Sequence, residues 1–208
     1  QVYTIDEDGK NIKKLTTVPY NMYPAWLNDT TIICYHSPVL AIPYYLTTIS
    51  TSTLQIDTIA NIFTQSIDVS PDGKVVYVTI TSSSGFNITT SLPPNFVEKF
   101  IVSVPDSRCA VWHPNCEDIF YTAEGDLGIG GLFKVNIYSK QSVRILPECH
   151  TRTYKNISIS PDGKNIIAEK QIIVNKQISD CNYNIVYGYV LEIMDINGNN
   201  RMELKLPE

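Results

Sequence analysis

A turn sequence recurs four times in this chain at nearly constant spacing. Residues 69–74 (VSPDGK) return at 159–164 (ISPDGK), and 112–116 (WHPNC) and 26–30 (WLNDT) are weaker copies. The residues at the proline position, Asn28, Pro71, Pro114 and Pro161, are 43, 43 and 47 residues apart. A repeat of this length indicates an array of similar units and argues against a single indivisible core.

Each unit has the composition of strands and tight turns. Proline presets φ at the first central position of a turn, and Asp-Gly or its substitute completes the reversal. A β-branched or aromatic run follows each turn, at 31–35, 75–78, 119–121 and 166–168, and such runs predict strands. Later hairpins are predicted at 46–59 and 133–146, with 96–104 as the outer strand of the second unit. No window has a sustained 3.6-residue apolar period, so almost no helix is expected.

A second element, Asp-x-x-Gly-x-Asn, lies at both ends of the chain. It occupies 6–11 and 195–200, a separation of four repeats. Units of four short antiparallel strands at this period are typical of propeller blades. We therefore predict an all-β fold, a β-propeller of four-stranded antiparallel blades. The limits are a partial blade over 1–16 and four complete blades over 17–60, 61–104, 105–147 and 148–208, in one propeller domain.

Two arrangements of the blades fit this count. The chain is either a piece of a six- or seven-bladed ring or a compact five-bladed ring whose first blade is only the 1–16 hairpin. The first is favoured because an open array leaves a strand edge and a core face exposed. The half unit at the start and Gln1 in place of Met also predict a chain that begins partway through a blade.

The units resemble the TolB-like (WD40-like) β-propeller repeat. The resemblance rests on 2–16 (VYTIDEDGKNIKKLT), 24–26 (PAW) and the Ser-Pro-Asp-Gly-Lys turns, and it covers nearly the whole chain. The sequence departs from the pattern at 28–30 (NDT) and 114–116 (PNC). The resemblance implies a periplasmic or other extracytoplasmic location, with a protein or a cell-envelope component as partner.

Charge and hydropathy exclude two classes of partner. The net charge is −5, from 16 basic and 21 acidic residues, whereas a nucleic-acid surface needs a basic patch. No apolar run approaches the roughly 20 residues that span a bilayer, so no membrane span is predicted. The sequence does not indicate an oligomeric state.

The search for catalytic and metal-binding residues predicts none, and no cofactor. There is no Gly-x-Ser-x-Gly elbow, and His36, His113 and His150 are interpreted as structural. The five cysteines have no zinc spacing and can form at most two disulfides. A Cys109–Cys116 bridge needs Cα atoms within about 7 Å, and buried or free thiols are the favoured interpretation.

Binding is predicted on one face of the propeller, where the connections between strands are long. These connections are predicted at 37–43, 82–96, 125–131 and 170–183, and long varied loops are where ligands bind. The candidate anchors are apolar or aromatic: Val39, Leu40, Tyr44, Phe86 and Phe96. Weaker candidates are Tyr20, Tyr23 and Tyr154, which are predicted on the side of the connections from the last strand of one blade to the first strand of the next. The same residues could instead pack onto neighbouring blades.

Three functions fit these observations. The first is a non-enzymatic binding scaffold for protein–protein or cell-envelope interactions, acting through the long-loop face. The second is the propeller of a larger prolyl-oligopeptidase-type serine peptidase, whose nucleophile would lie in a separate domain. The third is a glycan-active propeller similar to oligogalacturonate lyase, which would need several histidine or acidic ligands in its channel.

Overall fold

The computed structural model describes residues 1–17, 20–37, 45–80, 86–104, 107–123, 131–147, 154–179 and 182–204. These residues form eighteen β-strands and no helix. The strands make one two-stranded hairpin and four antiparallel sheets of four strands each. In every four-stranded sheet, the strands that neighbour one another in space are also consecutive in the chain. The prediction of an all-β fold with four-stranded units is confirmed.

The sheets follow the chain one after another, and we call the four-stranded ones blades I to IV. Within a blade the strands are a, b, c and d in chain order. The hairpin contains β1 (Tyr3–Thr4) and β2 (Lys13–Lys14). Blade I contains β3 (Tyr20–Asn28), β4 (Thr31–Ser37), β5 (Tyr45–Ser50) and β6 (Ile56–Ala60). Blade II contains β7 (Thr64–Val69), β8 (Val75–Ile80), β9 (Phe86–Ser91) and β10 (Lys99–Val104).

The remaining two blades have the same order of strands. Blade III contains β11 (Cys109–Trp112), β12 (Asp118–Ala123), β13 (Gly131–Asn136) and β14 (Ser142–Pro147). Blade IV contains β15 (Tyr154–Ile159), β16 (Asn165–Ser179), β17 (Asn182–Asp195) and β18 (Met202–Leu204).

The recurring turn joins strands a and b of each blade. In blade II the Ser70 N–H donates to the Lys74 carbonyl (2.8 Å), and the Gly73 N–H donates to the Ser70 carbonyl (2.9 Å). Gly73 has φ +81°, a left-handed conformation that glycine adopts without a steric cost. In blade III Cys116 takes this place with φ +60°, and its N–H donates to the His113 carbonyl (3.0 Å). The turn geometry therefore survives without the Asp-Gly sequence.

The apolar core lies between the sheets, in four clusters. Val2 and Leu15 of the hairpin pack with Ile32 of blade I, and Tyr35 of blade I packs with Tyr77 of blade II. The clusters between blades II and III and between blades III and IV have the same form. Both faces of strand b are buried as a result; all four residues of 75–78 are buried in β8. Each sheet is thus stabilised mainly by its two neighbours in the array.

Hydrogen bonds between neighbouring strands a fix blade II against blade III. The Ala110 N–H donates to Ser66 Oγ (3.1 Å), and the Trp112 N–H donates to Asp68 Oδ2 (2.7 Å). Burial raises the pKa of Asp68, and the hydrogen bonds from backbone N–H groups offset only part of that rise. The two acceptor side chains lie on β7, and the two donor N–H groups belong to β11. These hydrogen bonds therefore set the position of blade III relative to blade II.

Two predicted connections contain strands. The interval 82–96 of blade II includes β9 (Phe86–Ser91), whose Asn-Ile-Thr-Thr sequence is polar yet β-branched enough to pair with β8. The interval 170–183 of blade IV is mostly strand as well, because β16 and β17 stay paired from Asn165↔Asp195 to Ser179↔Asn182. The two strands form a ribbon much longer than the b–c pairs of the other blades.

The thiols are free where the structure describes them. Cys34, Cys109 and Cys116 form no disulfide, so the alternative of a Cys109–Cys116 bridge is wrong. Cys109 is buried at the start of β11, between blades III and IV. Cys149 and Cys181 lie outside the described residues.

Candidate functional site

The candidate site is a cavity at the point where the first strands of all four blades meet. Its volume is about 360 Å³, within the range of ligand pockets. Eight of the described lining residues lie at or just before the beginning of a strand a, and the ninth, Tyr35, lies on strand b of blade I: Met22, Tyr23, Tyr35, Phe63, Thr64, Gln65, Arg108, Lys155 and Asn156. Consecutive strands a contact one another along this line, so the cavity lies on the inner side of the blade array.

The repeat itself explains why these residues converge. Met22, Gln65, Arg108 and Lys155 each lie six residues before the aligned turn position, and they are separated by the same 43, 43 and 47 residues. Equivalent positions of a propeller repeat occupy equivalent places around the axis. Four blades therefore present four different side chains to one cavity.

The cavity lies on the face that carries the long connections. In blade I strand a begins opposite the end of strand b, as the pair Tyr20↔Ser37 shows. In blade IV strand a begins opposite Lys170, and strand b continues in the same direction to Ser179. The b–c connections that follow strands b therefore leave the same end of the blades. Three of these connections, 38–44, 81–85 and 124–130, lie outside the described residues.

Two cations mark one side of the cavity. Arg108 is exposed just before β11, and Lys155 is half-buried on β15. Lys155 Nζ donates to the Tyr189 hydroxyl (2.9 Å) and lies 4.9 Å from the centre of the Tyr189 ring. The hydroxyl and the aromatic face of Tyr189 orient the ammonium, and neither carries a negative charge. The neighbouring Asn156 amide donates to Glu169 Oε2 (2.6 Å), so the Glu169 carboxylate is the hydrogen-bond partner of this lining residue.

The apolar lining residues belong to blade I and to the start of blade II. Met22, Tyr23 and Phe63 are 37%, 42% and 43% exposed. The Phe63 ring meets the buried Tyr35 ring edge to face, with centroids 5.9 Å apart, an arrangement that aromatic pairs prefer. Grouped apolar side chains exposed beside a concave surface are typical of binding sites.

A second, smaller cavity lies between the hairpin and blade I. Its volume is about 190 Å³. It is lined mainly by apolar residues such as Val2, Ile5 and Trp26, and by no charged side chain. The larger cavity is the stronger candidate because it combines apolar and charged groups.

The predicted anchors are distributed over several environments. Phe86 packs against the core cluster between blades II and III, and Phe96 packs against the cluster between blades I and II. Tyr20 is half-buried at the start of β3, and Tyr154 is buried with its hydroxyl donating to Glu192 Oε2 (3.1 Å). None of these four lines either cavity described above. Their role in binding stays a prediction.

Three further anchors, Val39, Leu40 and Tyr44, lie outside the described residues, and their role also stays a prediction. Tyr23, the remaining candidate, does line the larger cavity. Arg108, Lys155, Met22 and Phe63 were not predicted. The repeat spacing could have identified three of these four residues, because Met22, Arg108 and Lys155 occupy the same position of their repeat units.

The described thiols and imidazoles lie in structural settings. Burial raises the pKa of the Cys109 thiol to about 11 and also raises that of Cys34, so both are protonated at neutral pH and are poor nucleophiles. Burial lowers the pKa of His36, whose Nδ1 lies 2.8 Å from Asn21 Oδ1. His113 Nε2 contacts the Gly163 carbonyl at 3.0 Å, and His150 lies outside the described residues.

The part of the chain that the structure describes contains no group of three or more His, Cys, Asp or Glu residues placed to hold a metal ion. The same part contains no helix that could cross a membrane.

Comparison with solved structures identifies the class of fold. The chain superposes on TolB from Acinetobacter baumannii with a TM-score of 0.67 at 15% identity, over 97% of this chain and 58% of that one. An oligogalacturonate lyase in complex with manganese gives a TM-score of 0.68 at 10% identity, over 99% and 59%. An acylaminoacyl peptidase in complex with Z-Gly-Gly-Phe-chloromethyl ketone gives 0.57 at 9% identity, over 90% and 32%.

The fold is a β-propeller. More particularly, the fold is similar to that of the TolB propeller structures, as the repeat predicted. No family model and no curated protein sequence matches the chain. The chain spans just under three fifths of the TolB and lyase structures it matches.

Proposed function

We propose that this chain is a binding scaffold, and that its ligand or partner occupies the cavity formed by the starts of the four strands a. The observation that carries the proposal is the convergence of Met22, Gln65, Arg108 and Lys155 from equivalent repeat positions onto one cavity of about 360 Å³. The buried strand b positions are mostly apolar in the four blades, as residues 75–78 show, whereas these four positions differ in chemistry. Variation at one position of a regular frame is how repeat proteins build binding surfaces.

Rigid support favours binding at this place. The cavity residues lie on or next to strands whose neighbours are buried and hydrogen-bonded, and Lys155 is held by Tyr189. Side chains fixed by a packed scaffold bind with less loss of conformational entropy than side chains on loops.

The partner proposed is a protein or a cell-envelope component outside the cytoplasm. The support for this finer assignment is the likeness to the TolB structure, which is a likeness of fold.

Selective capture tests the proposal. The wild-type chain, the double variant Arg108→Gln/Lys155→Met and the control variant Lys164→Met would be immobilised and exposed to envelope extract from the source organism. Lys164 is exposed in the a–b turn of blade IV, at the opposite end of the blades. We expect a partner that the wild type and the control retain and the double variant loses. Equal retention by all three would overturn the proposal.

An enzymatic role is the alternative class, and the likeness to the lyase and the peptidase motivates it. Two measurements separate it from binding. Stoichiometric transition metal in the purified protein, with turnover of oligogalacturonate, would favour a lyase. A Gly-x-Ser-x-Gly segment in the full reading frame, with peptide hydrolysis by that full-length protein, would favour a peptidase.

A further inference from the structure

We propose that the cavity recognises a carboxylate joined to an apolar group, namely the free C-terminus of a peptide that ends in an apolar residue. This inference rests on the proposed binding function and adds the chemical class of the ligand. It is carried by the described lining of the cavity, which combines cations from blades III and IV with apolar side chains from blades I and II.

The described lining of the cavity contains cations in a protein that is acidic as a whole. The protein has a net charge of −5, whereas the charged side chains among the described lining residues are those of Arg108 and Lys155. The Glu169 carboxylate, which accepts the Asn156 amide (2.6 Å), is not itself among those described lining residues. A guanidinium and an ammonium on adjacent blades fit a planar carboxylate, since arginine binds it with two N–H groups and lysine with a point charge.

The ammonium of Lys155 is already positioned. Its partners are the Tyr189 hydroxyl at 2.9 Å and the Tyr189 ring at 4.9 Å. Neither partner carries a negative charge, and an ammonium has three N–H donors. Lys155 therefore has donors left for an anion and needs little reorganisation to receive it.

The apolar lining selects for more than charge. Met22 and Tyr23 of blade I and Phe63 at the start of blade II present a thioether and two rings to the same cavity, each more than a third exposed. Burying an apolar side chain against them is favourable by about 25 cal/mol per Å² of apolar surface. A carboxylate with an adjacent apolar side chain is the chemistry of a peptide C-terminus, which proteins also capture in other folds.

A peptide fits this lining better than an acidic glycan. Uronate residues carry carboxylates too, but their rings are covered with hydroxyl groups that need hydrogen-bond partners when buried. Met22 and Phe63 offer none. The glycan is therefore an outcome of the test and not the proposal.

The test compares a free carboxylate with its amide. Fluorescein-labelled Gly-Ala-Ala-Phe and Gly-Ala-Ala-Leu, each as the free acid and as the carboxamide, would be titrated with the protein by fluorescence anisotropy. A charged hydrogen bond contributes about 1.5–3 kcal/mol, which is roughly a 10- to 150-fold change in Kd. We expect at least one free acid to bind at least about tenfold more tightly than its amide.

Variants locate the effect in the cavity. Arg108→Gln and Lys155→Met should each weaken binding of the free acid about tenfold, leave the amide nearly unchanged, and reduce the loss of affinity caused by added salt. Lys164→Met is the matched control and should bind like the wild type. The acid–amide comparison is made on the wild type, so it stands even if a variant folds poorly. Circular dichroism would check the folding of each variant.

The opposing results are specific. Equal affinities for acid and amide, no binding of either peptide up to millimolar concentration, or binding unaffected by both cavity variants would each overturn the proposal. Binding of trigalacturonate that requires Arg108 and Lys155, with no peptide binding, would replace the peptide with an acidic glycan. If the peptides fail while envelope capture still depends on the cavity, only the carboxylate inference falls; if capture is also insensitive, the proposed function falls as well.

Discussion

Replacing Glu192 by glutamine should destabilise blade IV strongly, because Glu192 is the centre of a buried charge network. The Glu192 side chain is 5% exposed, and its carboxylate accepts hydrogen bonds from Lys170 Nζ (3.0 Å), Arg201 (2.9 Å) and the Tyr154 hydroxyl (3.1 Å). The four residues come from strands a, b and c and from the residue just before strand d. Glu192 therefore links the whole width of the blade.

The size of the loss follows from the charges left behind. Removing one partner of a buried ion pair costs about 3–5 kcal/mol, because the other charge stays buried without compensation. The lower end applies here, since the Arg201 side chain is 41% exposed and can still be solvated. A loss of about 3 kcal/mol in a chain of this size lowers the melting temperature by roughly 6–12 °C.

Matched variants make the comparison decisive. Glu203 lies 3.7 Å from the same Lys170 ammonium, but its side chain is 58% exposed, so Glu203→Gln should cost no more than about 1 kcal/mol. The double variant Lys170→Met/Glu192→Leu should recover part of the loss, because it removes the uncompensated charge. Urea unfolding, with hydrogen exchange of the blade IV amides, measures both effects. A Glu192→Gln variant as stable as Glu203→Gln would refute the reasoning.

The same network predicts a pH dependence. Burial alone would raise the pKa of Glu192, but the hydrogen bonds from Arg201 and Lys170 outweigh burial and hold the pKa below its ordinary value of 4.5. The stabilising contribution is therefore full above pH 4.5 and is lost as the pH falls through the lower folded pKa. The difference in stability between wild type and Glu192→Gln should shrink on acidification below that pH. A difference that stays constant down to the onset of acid unfolding would contradict this sign.

Two other sites give sharp outcomes in thermal unfolding. Gly163→Ala should destabilise the protein more than Gly73→Ala. Both glycines have positive φ, which alone costs about 1–2 kcal/mol for alanine, but a Cβ at 163 would also lie 2.6 Å from His113 Nε2, whereas a Cβ at 73 meets nothing within 4 Å. Equal losses of stability in the two variants would refute the effect of the His113 contact. Asp68→Asn should raise the melting temperature at pH 7, since burial raises the pKa of Asp68 and an amide oxygen can still accept the Trp112 N–H. A carboxyl group whose pKa is raised in the folded state lowers the stability of the protein as the pH rises through that pKa. The stability advantage of Asp68→Asn should therefore disappear near pH 4. An advantage that persists at pH 4, or a variant less stable than the wild type at pH 7, would contradict the sign of this effect.

The turns show how closely local sequence can predict structure. Asp6 and Asp195, aligned by sequence alone, accept the Asn11 and Asn200 amides at 2.6 Å and 2.9 Å. The following Gly9 and Gly198 have φ +79° and +81°. These contacts join residues at most five apart, so the residues that make them are visible in one short window.

The strands that were missed show where local sequence fails. β9 is polar along much of its length, and it becomes a strand because β8 and β10 pair with its two edges. The extension of β16 and β17 depends in the same way on the mutual pairing of two segments. Strand formation is decided by partners as much as by intrinsic propensity.

Sequence by itself determined the number of units, the four-stranded blade and the places of its turns, because turn geometry is a local property and its repetition is countable. Tertiary structure alone decided which side chains share a cavity. Met22, Gln65, Arg108 and Lys155 are 43 to 47 residues apart, and only the packing of each blade on the next brings their strands side by side. The position of Lys155 against Tyr189 likewise depends on the long pairing of β16 with β17. The repeat therefore specifies the frame, while the contacts between blades create the site.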